Sequence, residues 1–358
     1  MKPLCCLYLL MLAITPIPAR ALPPQWKVGV LAPLTGDVAA WGQDTRRALE
    51  LANEMLGRGE FRIVFEDDRC QGKAAVSAAQ RLLSVERIDF GMIVCTEPTL
   101  STAPIFERHK VAVVAPGATG ASVSNAGDYI FRTWPSDQKM VEALFAYAKK
   151  RYSHPAVVTE SRGMPEEFTR TLLRLSSAAK MPFESEEFLT GETDLASLLL
   201  RLKAHQPDAL FISTDSDRTL SNIVQQLHML NWKLPLLGQF IAGSPQFYEK
   251  AGALAEGLVF GDSPEVVCGD GKPGCEVLAE YLSRYGHPES SIFMVSSTIA
   301  AFMVIADAAR SGETPKDHLY KARVETLLGS ISFDQNGDVV GPAPALKVIK
   351  DGRPVPLN

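Results

Sequence analysis

The 358-residue sequence lacks the short motifs that mark the common enzyme classes. It has no Gly-x-Ser-x-Gly nucleophile elbow, no Gly-x-x-x-x-Gly-Lys phosphate loop and no His-Glu-x-x-His metal motif. The segment Gly117-Ala-Thr-Gly120 is too short to be a dinucleotide-binding loop. We therefore expect a protein that is not an enzyme and that carries no cofactor.

Basic runs are also missing. Lys and Arg total 36 against 41 Asp and Glu, and without Lys2 and Arg20 of the N-terminal leader described next, the formal charge is −7. The sequence does not interleave basic and aromatic residues as nucleic-acid-binding proteins do, so we expect no nucleic-acid partner. The composition, with 46% hydrophobic residues, is that of a globular protein, and this length usually means two domains.

Only the N-terminus has the features of a targeting segment. Lys2 precedes the apolar run Leu4–Ile14, and Ala19-Arg20-Ala21 is a small-x-small cleavage site. A membrane anchor would need about 20 apolar residues, and two prolines interrupt this run. Residues 1–21 are therefore predicted to be a cleaved signal peptide, with Leu22 the first residue of a secreted chain.

Removing this leader leaves four of the six cysteines: Cys70, Cys95, Cys268 and Cys275. An even number in an exported chain favours disulfides. Three pairings are possible, and the most local one joins Cys70 to Cys95 and Cys268 to Cys275. The first bond would then link the ends of two neighbouring parallel strands. Zinc is the alternative, but the spacing is not C-x-x-C and no histidine lies near a cysteine pair, so we expect no metal.

Apolar runs bounded by Gly, Pro and Asp alternate with segments of 3.6-residue periodicity. This alternation predicts an α/β fold with parallel sheets and helices on both faces. Two series imply two lobes, with a break at Phe131–Ser136 and further crossings at Leu258–Pro264 and Ser330–Asp334. The predicted strands are Lys27–Ala32, Arg62–Phe65, Phe90–Val94, Val111–Ala115, Ala156–Thr159, Phe183–Phe188, Ala209–Ile212 and Ala345–Ile349. The predicted helices are Trp41–Met55, Gly72–Val85, Ser101–His109, Pro165–Ala179, Asp194–Ala204, Ser216–Leu230 and a buried helix Ile292–Ala309.

Small hydroxyl residues follow two of the predicted strands. Thr96 comes after Val94-Cys95, and Thr119 ends the turn Pro116-Gly117-Ala118-Thr119. Loops after parallel strands are where open α/β sheets bind ligands. Hydroxyl and backbone N–H groups at such a helix N-terminus bind anions. These two loops therefore predict a site for an anion such as a carboxylate.

Several segments together resemble the branched-chain amino-acid-binding family of periplasmic solute-binding proteins. These are the type I binding proteins of ABC importers. The resemblance covers nearly the whole chain from Trp26 onward. It implies two Rossmann-like lobes with parallel sheets joined by three hinge strands. Lobe 1 would be 22–133 plus 260–331, and lobe 2 would be 134–259 plus 332–358. The matching segments are Trp41-Gly42, the Cys70/Cys95 pair, Pro116–Thr119, Phe131-Arg132-Thr133 and Phe333–Asp338.

The resemblance also implies a function. A protein of this family captures a small carboxylate-bearing ligand, an amino acid or an organic acid, in the cleft between its lobes and delivers it to the membrane permease subunits of an ABC importer. We accordingly expect a periplasmic monomer. The alternative is a binding protein of the same fold that signals to a membrane receptor, and nothing in the chain separates the two.

In the first lobe, the resemblance implies that Thr96 and Thr119 hold the ligand carboxylate, with backbone groups of Ala118. Charge-assisted hydrogen bonds of this kind are each worth about 1.5–3 kcal/mol. The alternative is that these residues only cap helices and close turns. Trp41 matches the family's aromatic residue that packs on the ligand, although it could also serve lobe packing alone.

The second lobe departs from the family pattern. Met164 stands where the family usually has an aromatic residue, and Phe240 stands where amino-acid binders have the acid that holds the ligand ammonium. Asp215 could replace that acid or, with Asp217, could only cap the following helix. Two options follow: an ammonium bound by Asp215, or an amine-free carboxylate, which the missing acid favours narrowly. Further residues predicted to face the cleft are Glu97 and Arg162.

Overall fold

The structure is a computed structural model that describes residues 25–263, 266–269 and 271–357. The predicted signal peptide lies outside these residues and stays a prediction. The helices are α1 (Ala39–Leu56), α2 (Gly72–Arg81), α3 (Thr96–His109), α4 (Asp137–Lys149), α5 (Gly163–Ala178), α6 (Ala196–Ala204), α7 (Asp217–Met229), α8 (Pro245–Ala251), α9 (Cys275–Tyr285), α10 (Ile292–Arg310) and α11 (Pro315–Leu319).

The first sheet consists of five parallel strands in the order β2-β1-β3-β4-β5. Helices α1, α9 and α10 pack on one face, and α2 and α3 pack on the other. Strands covered on both faces are apolar throughout, which explains their continuous hydrophobic runs. The strands are β1 (Trp26–Ala32), β2 (Phe61–Asp67), β3 (Phe90–Ile93), β4 (Ala112–Ala115) and β5 (Ile130–Arg132).

The second sheet has seven strands, and its order is β15-β14-β10-β9-β8-β6-β7. Strands β6 to β10 are parallel, whereas β14 and β15 are antiparallel additions at one edge. Helices α4 and α5 cover one face, and α6, α7 and α8 cover the other. These strands are β6 (Ala156–Ser161), β7 (Glu184–Leu189), β8 (Leu210–Ser213), β9 (Leu236–Gly238), β10 (Val259–Asp262), β14 (Ala345–Lys350) and β15 (Arg353–Pro356).

The predicted α/β class with two lobes on parallel sheets is confirmed. The predicted break at Phe131–Ser136 is where the chain leaves the first sheet, and α4 begins there with Ser136 as its N-cap. Of the other two predicted crossings, the first contains β10. The second overlaps β12 (Gly329–Phe333), which belongs to a small antiparallel sheet with β11 (Val324–Thr326) and β13 (Val339–Val340).

The predicted lobe boundaries stay a prediction, and two placements bear on them. Strand β10 pairs within the second sheet as far as Asp262. Phe333 and Val339 pack in the first core, which is the hydrophobic cluster between the first sheet and helices α1, α9 and α10. The chain returns to the second sheet at Ala345.

Helix α10 was predicted to be buried, and this is confirmed. It is long and apolar enough to cross a membrane, with a mean hydropathy of 1.9, but 83% of that stretch is buried inside the protein. It begins where the side chain of Ser291 accepts the N–H of Met294. Its apolar residues complete the first core against the sheet.

Helix α3 differs from the prediction at its start, and α4, α8, α9 and α11 were not among the predicted helices. Helix α3 begins at Thr96, not at Ser101, because Pro98 lies in its first turn, where a missing N–H costs no hydrogen bond. Helix α4 was not predicted at all. Trp134 and Pro135 interrupt the periodicity just before it. The N-cap Ser136 and the helical spacing of Met140, Val141, Leu144, Phe145 and Ala148 are local signals that would have indicated it.

Both predicted disulfides are present, with Cα–Cα distances of 5.5 Å for Cys70–Cys95 and 5.6 Å for Cys268–Cys275. The expectation that the first joins neighbouring strands is wrong. Cys70 follows β2 and Cys95 follows β3, and β1 lies between these strands. A turn after β2, in which Asp68 accepts the N–H of Cys70, carries the chain across the end of β1.

Candidate functional site

A cavity of about 250 Å³ lies between the two lobes. Its walls come from the carboxyl ends of parallel strands in both sheets, which is where open α/β sheets bind ligands. At roughly 30 Å³ per water, it has room for one small molecule. The first lobe contributes Val38, Trp41, Cys70, Val94, Cys95, Thr96, Glu97, Leu100, Gly117 and Thr119, and the second contributes Arg162, Gly163, Met164, Glu167, Asp215 and Phe240.

The structure brings nearly all the predicted site residues together at this cavity. Ala118 is the exception, since its side chain is fully buried beside Thr119 and does not line the cavity. The roles of the predicted site residues in ligand binding stay a prediction. The predicted residues that line the cavity are Trp41, Thr96, Glu97, Thr119, Arg162, Met164, Asp215 and Phe240.

Thr96 ties the two first-lobe loops together. It is the first residue of α3, and its Oγ1 accepts the N–H of Gly120 at 3.1 Å. The N–H groups in the first turn of a helix have no partner within the helix. The Glu97 side chain is not a partner for these N–H groups, because its Oε1 accepts the N–H of Gly72 (3.0 Å) at the start of α2.

Arg132 fixes the direction of the peptide groups at Ala118, Thr119 and Gly120. Its buried guanidinium donates from Nη1 to the three carbonyls at 3.3, 3.1 and 2.7 Å, and Nε lies 2.7 Å from Asp338 Oδ1. A trans peptide holds each carbonyl opposite the N–H of the next residue. The N–H groups of Thr119 and Gly120 therefore point away from Arg132, towards the side where Gly120 meets Thr96 at the cavity.

Thr119 is held from behind by a carboxyl group that the sequence did not single out. Its Oγ1 lies 2.9 Å from Asp137 Oδ2, and the N–H of Asp137 donates to the Thr119 carbonyl (2.8 Å). Asp137 is 3% exposed, and its Oδ1 has no hydrogen-bond partner among the described residues. Burial raises the pKa of Asp137 to about 7, although the Thr119 hydroxyl and the charge of Arg132 lower it.

The second lobe presents two acids and one guanidinium. Arg162 Nε lies 3.2 Å from Asp215 Oδ1, and its Nη1 lies 3.8 Å from Glu160 Oε1. Glu160 is buried and accepts the hydroxyl of Thr214. Burial raises the pKa of Asp215 to about 6; the charge of Arg162 opposes this shift and that of Glu160 adds to it.

Asp215 does not cap α7. Ser216 is the N-cap, and its side chain accepts the N–H of Thr219 at 3.3 Å, while Asp217 lies in the first turn. Asp215 is therefore free to face the cavity and Arg162. The alternative prediction, that Asp215 serves only as a helix cap, is wrong.

Aromatic side chains close one side of the cavity. Phe240 from the second lobe packs on Trp41 from the first, with ring centroids 5.8 Å apart and the rings edge to face. Trp134, between the lobes, lies 6.2 Å from Trp41 and 5.9 Å from Phe240. Trp41 also packs against the first core, so it serves lobe packing and lines the cavity.

Glu167 spans the cavity and was missed by the sequence reasoning. It lies on α5 in the second lobe and accepts both the hydroxyl and the N–H of Ser122 in the first. Met164 and Glu167 are three residues apart on one helix face, so their spacing could have found it. Among the residues that the structure describes, no group of His, Cys, Asp and Glu is arranged to hold a metal ion.

Comparison with known proteins identifies the family. The pattern of the family described as periplasmic binding protein matches residues 25–353. The chain is 23% identical over 352 residues to Leu/Ile/Val-binding protein homolog 3 of Brucella melitensis, covering 92% of this chain and 93% of that protein.

The fold is similar to two solved structures. One is a leucine-binding protein of Thermotoga maritima, with a TM-score of 0.84, 22% identity and coverage of 93% of this chain and 98% of that one. The other is a solute-binding protein of an ABC transporter from R. palustris in complex with benzoate, with a TM-score of 0.81, 17% identity and coverage of 93% and 96%.

The chain belongs to the periplasmic binding protein family, since the match spans most of its length. This confirms the resemblance to type I branched-chain amino-acid-binding proteins and the expectation that the protein is not an enzyme. It is a solute-binding protein of the ABC-importer type, and its family supports a periplasmic location.

Proposed function

We propose that the protein captures a small α-amino acid with an apolar side chain and delivers it to the permease of an ABC importer. The observation that carries this proposal is the asymmetry of the cavity. One wall offers hydrogen-bond donors for a carboxylate, and the opposite wall has an excess of acidic groups.

The first-lobe wall suits a carboxylate. The N–H of Thr119, directed by Arg132, and the first-turn N–H groups of α3 have no partner among the described residues. The hydroxyls of Thr96 and Thr119 lie in the same wall. Donors fixed in place before the ligand arrives lose little entropy on binding, which supports high affinity.

The second-lobe wall suits an ammonium. Asp215 and Glu160 share the single guanidinium of Arg162, and Glu167 adds a further carboxylate to this wall. An amine-free carboxylate would bring a further negative charge into this space. A zwitterion would not, and its ammonium could share Asp215 with Arg162.

A second ligand class has one observation in its favour. Phe240 replaces the acid that amino-acid binders of the family use, and it extends an aromatic surface with Trp41. That surface would suit an aromatic carboxylate without an amine, the class that the missing acid favoured narrowly in the sequence. The fold is compatible with both classes, since similar structures include leucine-binding and benzoate-bound proteins.

A ligand screen with matched pairs tests the proposal. Leucine and 4-methylpentanoate, and phenylalanine and 3-phenylpropanoate, differ only by the ammonium group, and benzoate is added as a shorter aromatic acid. We expect an amino acid to raise the melting temperature and its deaminated partner not to do so. Ligand at 100 times Kd stabilises the folded state by about 2.7 kcal/mol.

Asp215→Asn tests the assigned anchor, because it removes the charge and preserves the shape. We expect it to abolish amino-acid binding, whereas Asp217→Asn, which does not line the cavity, leaves binding unchanged. Tight binding of an amine-free acid that survives Asp215→Asn would replace the amino acid by the second ligand class. A genomic neighbourhood with a sensor kinase and no permease would replace transport by sensing.

A further inference from the structure

The hydroxyl of Thr119 has a single proton, and it faces the acceptor Asp137 on one side and the cavity on the other. Its Oγ1 is 2.9 Å from Asp137 Oδ2, and Thr119 also lines the cavity. An ionised carboxylate only accepts hydrogen bonds. When Asp137 is ionised, the hydroxyl must donate to it, and Thr119 then presents a lone pair to the ligand carboxylate.

Protonation of Asp137 reverses this hydrogen bond. A carboxylic acid carries one donor, so a neutral Asp137 donates from Oδ2 to Thr119 Oγ1. The hydroxyl proton of Thr119 is then free to bond the ligand carboxylate. The same two side chains thus form a donor or an acceptor facing the cavity, depending on one proton.

The surroundings of Asp137 offer little to hold a negative charge. Its Oδ1 has no hydrogen-bond partner among the described residues. The cation that acts on Asp137, Arg132 on β5, is already bonded to Asp338 and to three carbonyls, and Glu167 on α5 adds a like charge.

The strands packed against α4 do not change this balance. They carry Asp262 on β10 and Lys347 on β14, and these two residues pair with each other at 3.0 Å. The charge of each is therefore largely neutralised by the other before it acts on Asp137.

We propose that Asp137 is a positioning residue whose neutral form turns the Thr119 hydroxyl into a donor, so that binding a carboxylate ligand takes up one proton. The inference rests on the proposed function, because it needs a carboxylate at Thr119. It applies equally to an amino acid and to an amine-free acid. Because burial raises the pKa of Asp137 to about 7, both of its forms are populated at neutral pH.

The expected signature is a loss of affinity as the pH rises. The apparent affinity scales with the fraction of protein in the competent form, so the titration of Asp137 alone should make Kd about tenfold higher at pH 8 than at pH 6. With an amino-acid probe, the ionisation of Asp215 over the same range opposes part of this change, whereas with benzoate it does not. Titration calorimetry at pH 7.5 in buffers of different ionisation enthalpy measures the proton uptake directly. The probe is leucine, phenylalanine or benzoate, whichever binds most tightly.

Asp137→Asn separates this role from a structural one. The Asn amide carries no charge and can donate to Thr119 at any pH, so this variant should bind at pH 8 about as tightly as the wild type does at pH 6. The substitution does not change the ionisation of Asp215 or of the ligand. Any pH dependence of Kd that remains in the variant therefore comes from those groups and not from residue 137. Thr119→Val removes the hydroxyl and should bind weakly with no dependence on the state of Asp137.

The outcomes distinguish this inference from the function it rests on. Tight carboxylate binding by the wild type without proton uptake overturns the role of Asp137 and leaves the proposed function intact. Absence of binding by every carboxylate probe overturns the proposed function itself. Proton uptake is measured on the wild type, so the test does not depend on whether a variant folds.

Discussion

Asp67 and Asp68 are adjacent carboxyl groups whose surroundings shift their pKa values in opposite directions. Burial acts to raise the pKa of Asp67, but hydrogen bonds from the Thr35 hydroxyl and three backbone N–H groups outweigh it and lower the pKa. Asp68 is fully buried, and its Oδ2 has no partner among the described residues, so burial raises its pKa to about 6.

This contrast predicts opposite effects of the two amide substitutions. The folded chain holds the proton of Asp68 more tightly than the unfolded chain does, so that contribution to stability is lost as the pH rises through about 6. Asp68→Asn should therefore stabilise the protein at pH 8 by on the order of 2 kcal/mol, and much less at pH 4. Asp67→Asn should destabilise it above pH 4. Thermal denaturation at both pH values is the measurement, and an equal shift at both would contradict the explanation.

The Arg132–Asp338 pair should matter for stability and for binding. Arg132→Met leaves Asp338 without its partner and frees the carbonyls of residues 118–120, so we expect a loss of about 3–5 kcal/mol and weaker ligand binding. Arg81→Met breaks the exposed pair with Glu66 and should cost at most about 1 kcal/mol. Urea denaturation and calorimetry at low temperature measure both effects. Equal losses from the two variants would contradict the special role of Arg132.

The two disulfides should differ in what they do for the site. Cys70→Ser with Cys95→Ser should cost about 3–4 kcal/mol in the chain-entropy model and should also weaken binding, because both cysteines line the cavity beside Thr96. Cys268→Ser with Cys275→Ser should lower stability and leave Kd unchanged, since neither residue lines the cavity. A comparable loss of affinity in both double variants would show that only global stability matters.

The contact between Glu167 and Ser122 should favour the arrangement in which the lobes are close together. Glu167→Gln weakens a hydrogen bond that joins the lobes, so the ligand-free protein should become more open and bind ligand less tightly. Glu166→Gln, on the same helix but outside the cavity, is the matched control. Small-angle scattering measures the change in shape. A double-mutant cycle with Ser122→Ala should show a coupling of about 1 kcal/mol or more, and additive effects would argue against a direct link.

Local features of the sequence were sufficient to place much of the fold. The first strand was predicted within one residue, because a buried apolar run that ends at a proline is a local signal. Thr96, Thr119 and Trp41 reached the cavity as expected, since each follows closely on a strand of the first sheet. The chain order does not reveal the order of strands in a sheet, and the supposed adjacency of β2 and β3 was wrong for that reason.

The remaining parts of the site depend on contacts between distant residues. Arg132 acts through Asp338, 206 positions away, and Glu167 reaches Ser122 across 45 positions. No periodicity or short motif reports such a pairing. The position of Asp137 behind Thr119 depends likewise on how α4 leaves the first sheet, and α4 itself was missed.

The return of the chain to each core also sets the order in which the protein can fold. Helix α10 completes the first core, but it follows strands β6 to β10 of the second sheet in the chain. Ile349 of β14 belongs to the core between the second sheet and helices α6, α7 and α8. A growing chain therefore cannot complete either of these two cores before its last segments are available. Non-local contacts of this kind slow folding, and an unfinished core leaves apolar surface exposed. For a chain exported through the predicted signal peptide, such a delay would be useful, because a chain that folds late can cross a membrane in extended form.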